Sequence, residues 1–403
     1  MEGDEAPEGK ALLVLGAGPA QLGLLAAARE RGLFVIAVDR DPRAPGFAYA
    51  DRRALLSTED EPAVERLARS ERIAGVIAPG TDWPVGVAAR LADHLRLPHP
   101  LSAATAALAV SKLRQRERFE EAGVPQPRWR AVGREDSTAS LSVPAVVKAP
   151  DRQGQRGLTL VRRGMQLADA VARAEEASRN GIALVEELVD GPEVTVNAFS
   201  LDGAFHPLTV TDRETARPPA FGVALAHVWP SKHADERAVD IARAAAEALG
   251  IENGPTYTQI RLGWDGPRVI EVAARLGGGH DAELCHAALG VDLNGLALAA
   301  ALGEPVEPPR PDPQVGGAVT RFLVPPEGRL VATYGEEEAR AVEGVVDVRL
   351  YRSRGHDFGP FRTGSDRAGA VLAVGGSREE ALARARRATD LIRFVVSDAE
   401  VAS

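Results

Sequence analysis

Two lysines, a glycine-bearing loop, a run of glutamates and an arginine follow one another in the middle of the chain in the order a nucleoside triphosphate would need them. Such a ligand requires cations on its phosphates, backbone N–H groups beside them, acceptors for sugar and base, and carboxylate for Mg²⁺. Lys112 follows Ser111 at the start of a predicted helix, and Lys148 ends the apolar strand Pro144-Ala145-Val146-Val147. A lysine closing an apolar strand points at something anionic. The loop Asp151-Arg152-Gln153-Gly154-Gln155-Arg156-Gly157 comes next, and Gly154 and Gly157 let its amides fold over phosphate as a flap between two strands. In the stretch from Leu184 to Glu193, alternation puts Glu186 and Leu188 on one face. The backbone of Glu187 and Val189 can then present an N–H and a carbonyl to a base edge, and Glu193 can accept from ribose hydroxyls. Last, Gln259 and Glu271 lie on the two arms of a hairpin turning at Trp264-Asp265-Gly266, with Arg275 and then Gly277-Gly278-Gly279 just beyond.

The lysines stand out because only four of the 48 basic residues are lysines: Lys10, Lys112, Lys148 and Lys232. Where arginine is used almost everywhere, a retained lysine marks a place that wants a compact ammonium. Lys10 is expected in a disordered tail and Lys232 on the surface before a helix. Lys112 and Lys148 fall where phosphates want point charges.

Elements that could position these groups follow from the pattern. The apolar run 12–15, the turn Gly16-Ala17-Gly18-Pro19, an alanine-rich helix to Gly32 and a second apolar run ending at Asp39 form a βαβ unit. A helix near 61–70 and a strand at 75–78 extend it into an open, mostly parallel sheet. From 128 onward strands come in close succession (144–149, 158–161, 183–188, 193–201, 205–211, 222–229), interrupted by helices at 165–179 and 233–249. The hairpin 255–264 and 267–273 and helices near 281–289 and 291–302 complete an α+β block with antiparallel pairing. The stretch Glu307 to Pro313 is a linker by composition. Beyond it lie short strands (316–324, 345–350, 370–374) and a charged helix, 377–394. The expectation is therefore α/β and α+β, in three parts: 1–110, 111–307 and 314–403.

Composition narrows the class. The 403 residues carry a net charge of −9, with 45% hydrophobic and 26% charged residues, as in an ordinary globular protein. An acidic balance and 4% aromatic residues argue against nucleic acid as a partner. No run of 18 apolar residues predicts a membrane span. An acidic start without an apolar segment and a single cysteine, Cys285, lead to the expectation of a cytoplasmic protein without disulfides.

Two motifs invite other chemistry. Gly16-x-Gly18 after a strand, with Asp39 closing the next, imitates a dinucleotide fingerprint, but position 21 is Gln21 where the third glycine belongs. A glycine turn also serves any doubly wound sheet for close packing. His280, Glu283, Cys285 and His286 suggest zinc, but helical phase puts them only partly on one face, and Cys285 reads as a small buried hydrophobe.

As an ordered set these residues resemble the ATP-grasp superfamily, over nearly the whole chain. The resemblance implies an ATP-grasp fold with a Rossmann-like N-terminal domain that does not bind NAD, a central ATP-grasp domain with a mobile lid at about 125–190, and a small C-terminal domain. It implies that Lys112 and Lys148 contact phosphates, with Gly154 and Gly157 in the loop over them. Glu186 would accept from the adenine amino group on the strand that also carries Glu187 and Val189, and Glu193 would hold ribose. Glu271 and Gln259 would hold Mg²⁺, with Mn²⁺ as an alternative ion, and Arg275, with Lys148, would stabilise the transferred phosphoryl group. The segment Thr363 to Ala381 is similar to the closing domain of bacterial L-amino acid ligases, and biotin-carboxylase-like enzymes carry a related ending.

The chain departs from that family at the metal strand. Glu271-Val272-Ala273-Ala274-Arg275 has alanine where Glu-x-Asn-x-Arg is usual, and Gln259 stands where glutamate is usual. The implied activity is ATP-dependent joining of a carboxylate to an amine through an acyl phosphate, with amino acids as substrates. The alternatives are a bicarbonate-using carboxylase or carbamoyl-phosphate-type enzyme, or a nucleotide-binding homologue without turnover. His280 and Asp281 after the glycine run, Arg321 on a late strand, and Arg354 between Arg352 and His356 are the candidates for substrate contact. Related enzymes are often dimers, which makes a homodimer the expectation.

Overall fold

In the computed structural model, residues 9–133, 136 and 141–397 are described. The first sheet is all parallel, with β1 (Ala11–Leu15), β2 (Phe34–Val38), β3 (Arg52–Ala54) and β4 (Gly75–Ile77) in the order β3-β2-β1-β4. Every residue of β1 is buried, as a parallel strand covered on both faces requires. The covering helices are α1 (Leu22–Glu30), α2 (Glu61–Glu71) and α3 (Trp83–Leu95), followed by α4 (Ala103–Ala109) and α5 (Lys112–Glu121). Ser111 caps α5 by accepting from the Arg114 N–H, which sets Lys112 at the first helical position.

A second, antiparallel sheet contains β5 (Trp129–Val132), β6 (Ala145–Lys148), β7 (Thr159–Val161) and β8 (Ala183–Glu187), ordered β5-β8-β6-β7, with α6 (Leu167–Ala177) packed against it. Val147, Val161, Leu167 and Val171 form its small core. Its contacts with the first domain include Arg179, whose guanidinium stacks 3.7 Å over the Trp83 ring and whose NH2 lies 2.7 Å from Glu59.

The largest sheet is antiparallel and eight-stranded. It takes β9 (Glu193–Leu201), β10 (Ala204–Thr215) and β11 (Ala224–Trp229), then, after α7 (Glu236–Ala248), β12 (Gly254–Gly263) and β13 (Gly266–Ala273). Helices α8 (Asp281–Leu289) and α9 (Leu293–Ala301) follow. Past the proline-rich stretch come β14 (Gly317–Leu323), β15 (Gly328–Tyr334), α10 (Glu336–Arg340), β16 (Val345–Leu350), β17 (Asp357–Phe358), β18 (Gly369–Gly375), α11 (Arg378–Leu391) and β19 (Arg393–Ser397). The order β13-β12-β9-β10-β11-β14-β18-β16 shows that the sheet runs without interruption across residues 307–313, through pairs such as Ala226 with Arg321.

Two expectations need correcting. The last helix stops at Leu391 rather than 394, because Phe394, Val395 and Val396 pair antiparallel with β15. Aromatic and β-branched residues fit that pleated surface better than a helix end. Lys10 belongs to the folded body and donates to Glu304 Oε1 at 3.0 Å. Among the described residues no helix is long and apolar enough to cross a membrane.

Candidate active site

The first sheet, the four-stranded sheet and one end of the large sheet enclose a cleft of about 510 Å³. It is lined by Lys112, Lys148, Gly154, Glu186, Glu187, Val189, Glu193, Gln259, Glu271 and Arg275, so residues far apart in sequence meet in one cavity. Gly157 lies outside that lining. It takes φ +71°, and a Cβ there would sit 2.7 Å from the Ala177 Cβ, so it closes the loop against α6 while Gly154 (φ +66°) and Gln155 (φ +65°) turn the loop over the cleft.

Lys148 ends β6, and the next strand of that sheet pairs Val146 with Glu186. Strand alternation thus brings the Lys148 Nζ within 2.8 Å of Glu186 Oε2, while Arg116 Nε donates to Glu186 Oε1 at 2.7 Å. All three groups are buried. Burial pushes the Lys148 pKa down against the support of Glu186, and Arg116 pushes it further the same way. For Glu186, burial favours the neutral acid, but Arg116 and Lys148 outweigh it and hold the carboxyl below the usual range.

Glu271 and Gln259 are direct partners across β13 and β12, with a register shift just past Gln259. Lys112 Nζ lies 2.8 Å from Glu271 Oε1 and donates to the Arg152 carbonyl at 2.9 Å. Burial opposes both charges, but the attraction wins, so the lysine is raised and the carboxyl lowered. Arg275 is held across the cleft by Asp82 from the loop after β4, with Nε to Oδ1 at 2.8 Å. Glu193 is held from both sides, by Arg213 NH1 at 2.6 Å and Arg261 NH2 at 3.1 Å. Among the described residues no group of three or more His, Cys, Asp or Glu is placed to hold a metal ion. To a cation the hairpin pair offers one carboxylate, Glu271, and one amide oxygen, Gln259.

The four expected substrate contacts are not among the described residues lining this cleft. His280 sits at φ +59° and, like Asp281, turns into the interior, where both are buried. The orientation follows from the backbone: Asp281 Oδ2 accepts the Gly279 N–H and its Oδ1 lies 3.4 Å from His227 Nδ1. Arg321 reaches Glu214 at 3.8 Å, and Arg354 is exposed on the loop after β16. Cys285 is a buried core residue whose thiol is pushed up to about 12 by burial. In the glycine turn of the first sheet, Gln21 Nε2 donates to the Pro79 carbonyl and Asp39 Oδ2 accepts the Ala17 N–H, so the chain itself uses the groups a dinucleotide would need.

Several wall residues escaped the sequence reading, Asp82, Arg213, Arg261, Tyr351 and Arg367, as did Arg116, which holds Glu186. Arg116 was legible, since it stands four residues after Lys112 on the same helical face. Asp82 follows the carboxyl end of a parallel strand, where ligands of open α/β sheets gather.

Buried His227 and His280 are both pushed down to about 4, chiefly by burial. The unfolded chain takes up these protons near pH 6.5 and the folded one only near 4. Falling pH therefore favours the unfolded state across that window, by about 2–3 kcal/mol for each imidazole. Urea unfolding at stepped pH should show this loss, with both imidazole resonances still neutral in the folded protein at pH 5.

With this geometry in place, comparison with known proteins is informative. Residues 141–283 match the ATP-grasp domain, and residues 321–397 match the L-amino acid ligase C-terminal domain 2. The chain belongs to the ATP-grasp family of carboxylate–amine ligases. The crystal structure of L-amino acid ligase from Bacillus licheniformis superposes on this ATP-grasp ligase with a TM-score of 0.82 at 25% identity, covering 97% of this chain and 100% of that one. Uncharacterized protein y4rH of Sinorhizobium fredii is 31% identical over 92% of this chain and 80% of its own length. Formate-dependent phosphoribosylglycinamide formyltransferase of Salmonella paratyphi C is 28% identical over 96% of this chain and 97% of its own. Family members use ATP with Mg²⁺.

Proposed function

We propose that this ATP-grasp ligase joins an amino acid carboxylate to an amine at the expense of ATP, through an acyl phosphate. The observation that carries the reading is the convergence of Lys112, Lys148, Glu271 and Arg275 on one cleft, with Gln259 opposite Glu271. Phosphoryl transfer asks little covalent work of the protein and much positive charge around the moving group.

Lys148 and Lys112 sit on the nucleotide phosphates under the loop of Gly154 and Gly157. Glu186 fixes Lys148 and, with Glu187 and Val189, borders the adenine, while Glu193 takes the ribose hydroxyls. A carboxylate oxygen of the substrate attacks the γ-phosphorus, the bond to the β–γ bridging oxygen breaks and ADP leaves. Arg275, aimed by Asp82, meets the charge spread over the equatorial oxygens. The amine then attacks the acyl carbon, phosphate departs with that carboxylate oxygen and the amine sheds a proton. Glu271 and Gln259 would hold Mg²⁺ together with the phosphates, and the ion supplies charge neutralisation there. The Arg179–Trp83 contact closes the four-stranded sheet over the first domain, which protects a hydrolysable intermediate.

The test is ADP release over a panel of amino acids with hydroxylamine present. The expected result is a hydroxamate with at least one acid. Absence of hydroxamate with every acid, or ADP release that needs bicarbonate and no amino acid, contradicts the proposal. Because a neutral amide replaces a second carboxylate, Gln259→Glu should tighten Mg²⁺ about tenfold in calorimetry with a non-hydrolysable ATP analogue.

A further inference from the structure

The cleft wall also carries Tyr351, just past β16, and Arg367, just before β18. The Tyr351 hydroxyl lies 2.5 Å from His280 Nε2, and the other ring nitrogen, Nδ1, lies 3.0 Å from Arg349 NH1. A guanidinium can only donate, so Nδ1 must accept, and the single proton of a neutral imidazole is then on Nε2. That N–H donates to the Tyr351 oxygen. Tyr351 stays a phenol, because burial pushes its pKa upward. With its oxygen already accepting from His280, its own proton is left to donate elsewhere, and Tyr351 is part of the cleft lining. Arg349 is fixed in turn by Glu283, 2.9 Å from NH1, and Asp347, 2.6 Å from Nε.

Arg367 lines the same wall. Its guanidinium stacks 3.7 Å over the Phe322 ring, and its Nε is buried with no hydrogen-bond partner. Burial draws its pKa down to about 10, with Tyr351 the strongest group acting the other way, and it remains charged at neutral pH. Arg275, Arg213 and Arg261 in the same wall are each matched by a carboxylate, so Arg367 differs from them. One cation and one neutral donor suit an acceptor of single negative charge.

We propose that Tyr351 and Arg367 form the subsite for a non-reacting carboxylate of a substrate, and that His280 and Arg349 are positioning residues that keep the Tyr351 hydroxyl a donor. The inference rests on the ligase reading for the owner of that carboxylate, the amino acid that supplies the amine. His280, expected to touch substrate directly, is instead a positioning residue acting through Tyr351.

The test separates binding from turnover in the full-length protein. Common amino acids and their carboxamides are titrated calorimetrically in the presence of Mg²⁺ and a non-hydrolysable ATP analogue. The acid should bind about a hundredfold better than its carboxamide, and Arg367→Met should erase that difference. Tyr351→Phe should weaken the acid about tenfold and leave the carboxamide unchanged. His280→Leu should reproduce the Tyr351→Phe loss, and His280→Gln, which keeps an N–H for Tyr351 and an acceptor for Arg349, should recover it. Equal binding of acid and carboxamide by the unmodified protein, or no binding of either, overturns the subsite. So does an unchanged preference in both Tyr351→Phe and Arg367→Met variants that melt at the unmodified temperature. Acids bound selectively without any ADP formed would defeat the ligase reading and keep the subsite. Hydroxamate formation, with acid and carboxamide serving equally as amine donors, would defeat the subsite and keep the ligase.

Discussion

Glu186→Ala should destabilise the protein by about 3–5 kcal/mol, because it strands two buried cations at once. Arg116 and Lys148 both rest on this carboxylate, at 2.7 and 2.8 Å, and their side chains are only 1% and 6% exposed. Arg116 keeps its bonds to the Val269 and Ile270 carbonyls, so the larger part of the loss falls on Lys148. The check is the urea midpoint at neutral pH at an unchanged slope. A triple replacement, Arg116→Met with Glu186→Leu and Lys148→Met, should regain most of the stability while losing nucleotide binding, since desolvation of the three charges is no longer imposed. A Glu186→Ala variant within about 0.5 kcal/mol of the unmodified protein would contradict this description of the triad.

Glu271→Ala should lower turnover roughly a thousandfold or more while the protein stays folded. It removes the single carboxylate of the proposed Mg²⁺ pair and leaves Gln259 as the remaining protein ligand. Lys112 loses its partner at 2.8 Å but keeps the Arg152 carbonyl at 2.9 Å, and its environment opens on the cleft rather than the core. The stability cost should therefore be smaller than for Glu186→Ala. Steady-state ADP release with saturating Mg²⁺ reads the effect, and melting temperature controls for folding. Full activity in the variant would remove Glu271 from the metal role.

What the sequence made legible follows from locality. Lys148 and Glu186 could be placed because β6 and β8 are short apolar strands whose alternation is fixed by burial. Gln259 and Glu271 could be paired because their hairpin turn is explicit in Trp264-Asp265-Gly266. Substrate contacts were harder, since a chain this rich in arginine gives no local sign of which guanidinium will lack a carboxylate. Arg321 and Arg367 look alike in sequence, yet one meets Glu214 and the other stacks on Phe322. His280 looked like a group offered to the cleft, but its left-handed backbone turns it inward and leaves Tyr351 at the surface of the cavity. The continuity of the large sheet past residue 313 is a long-range pairing, of β11 with β14, that a proline-rich composition hides.

The central claim is that a substrate carboxylate is phosphorylated before the amine arrives. The most direct measurement supplies an active amino acid with heavy oxygen in its carboxylate and follows the label by mass spectrometry. Formation of an acyl phosphate transfers one labelled oxygen to inorganic phosphate for every amide formed, and that is the predicted result. Amide formation with phosphate free of label would contradict the account.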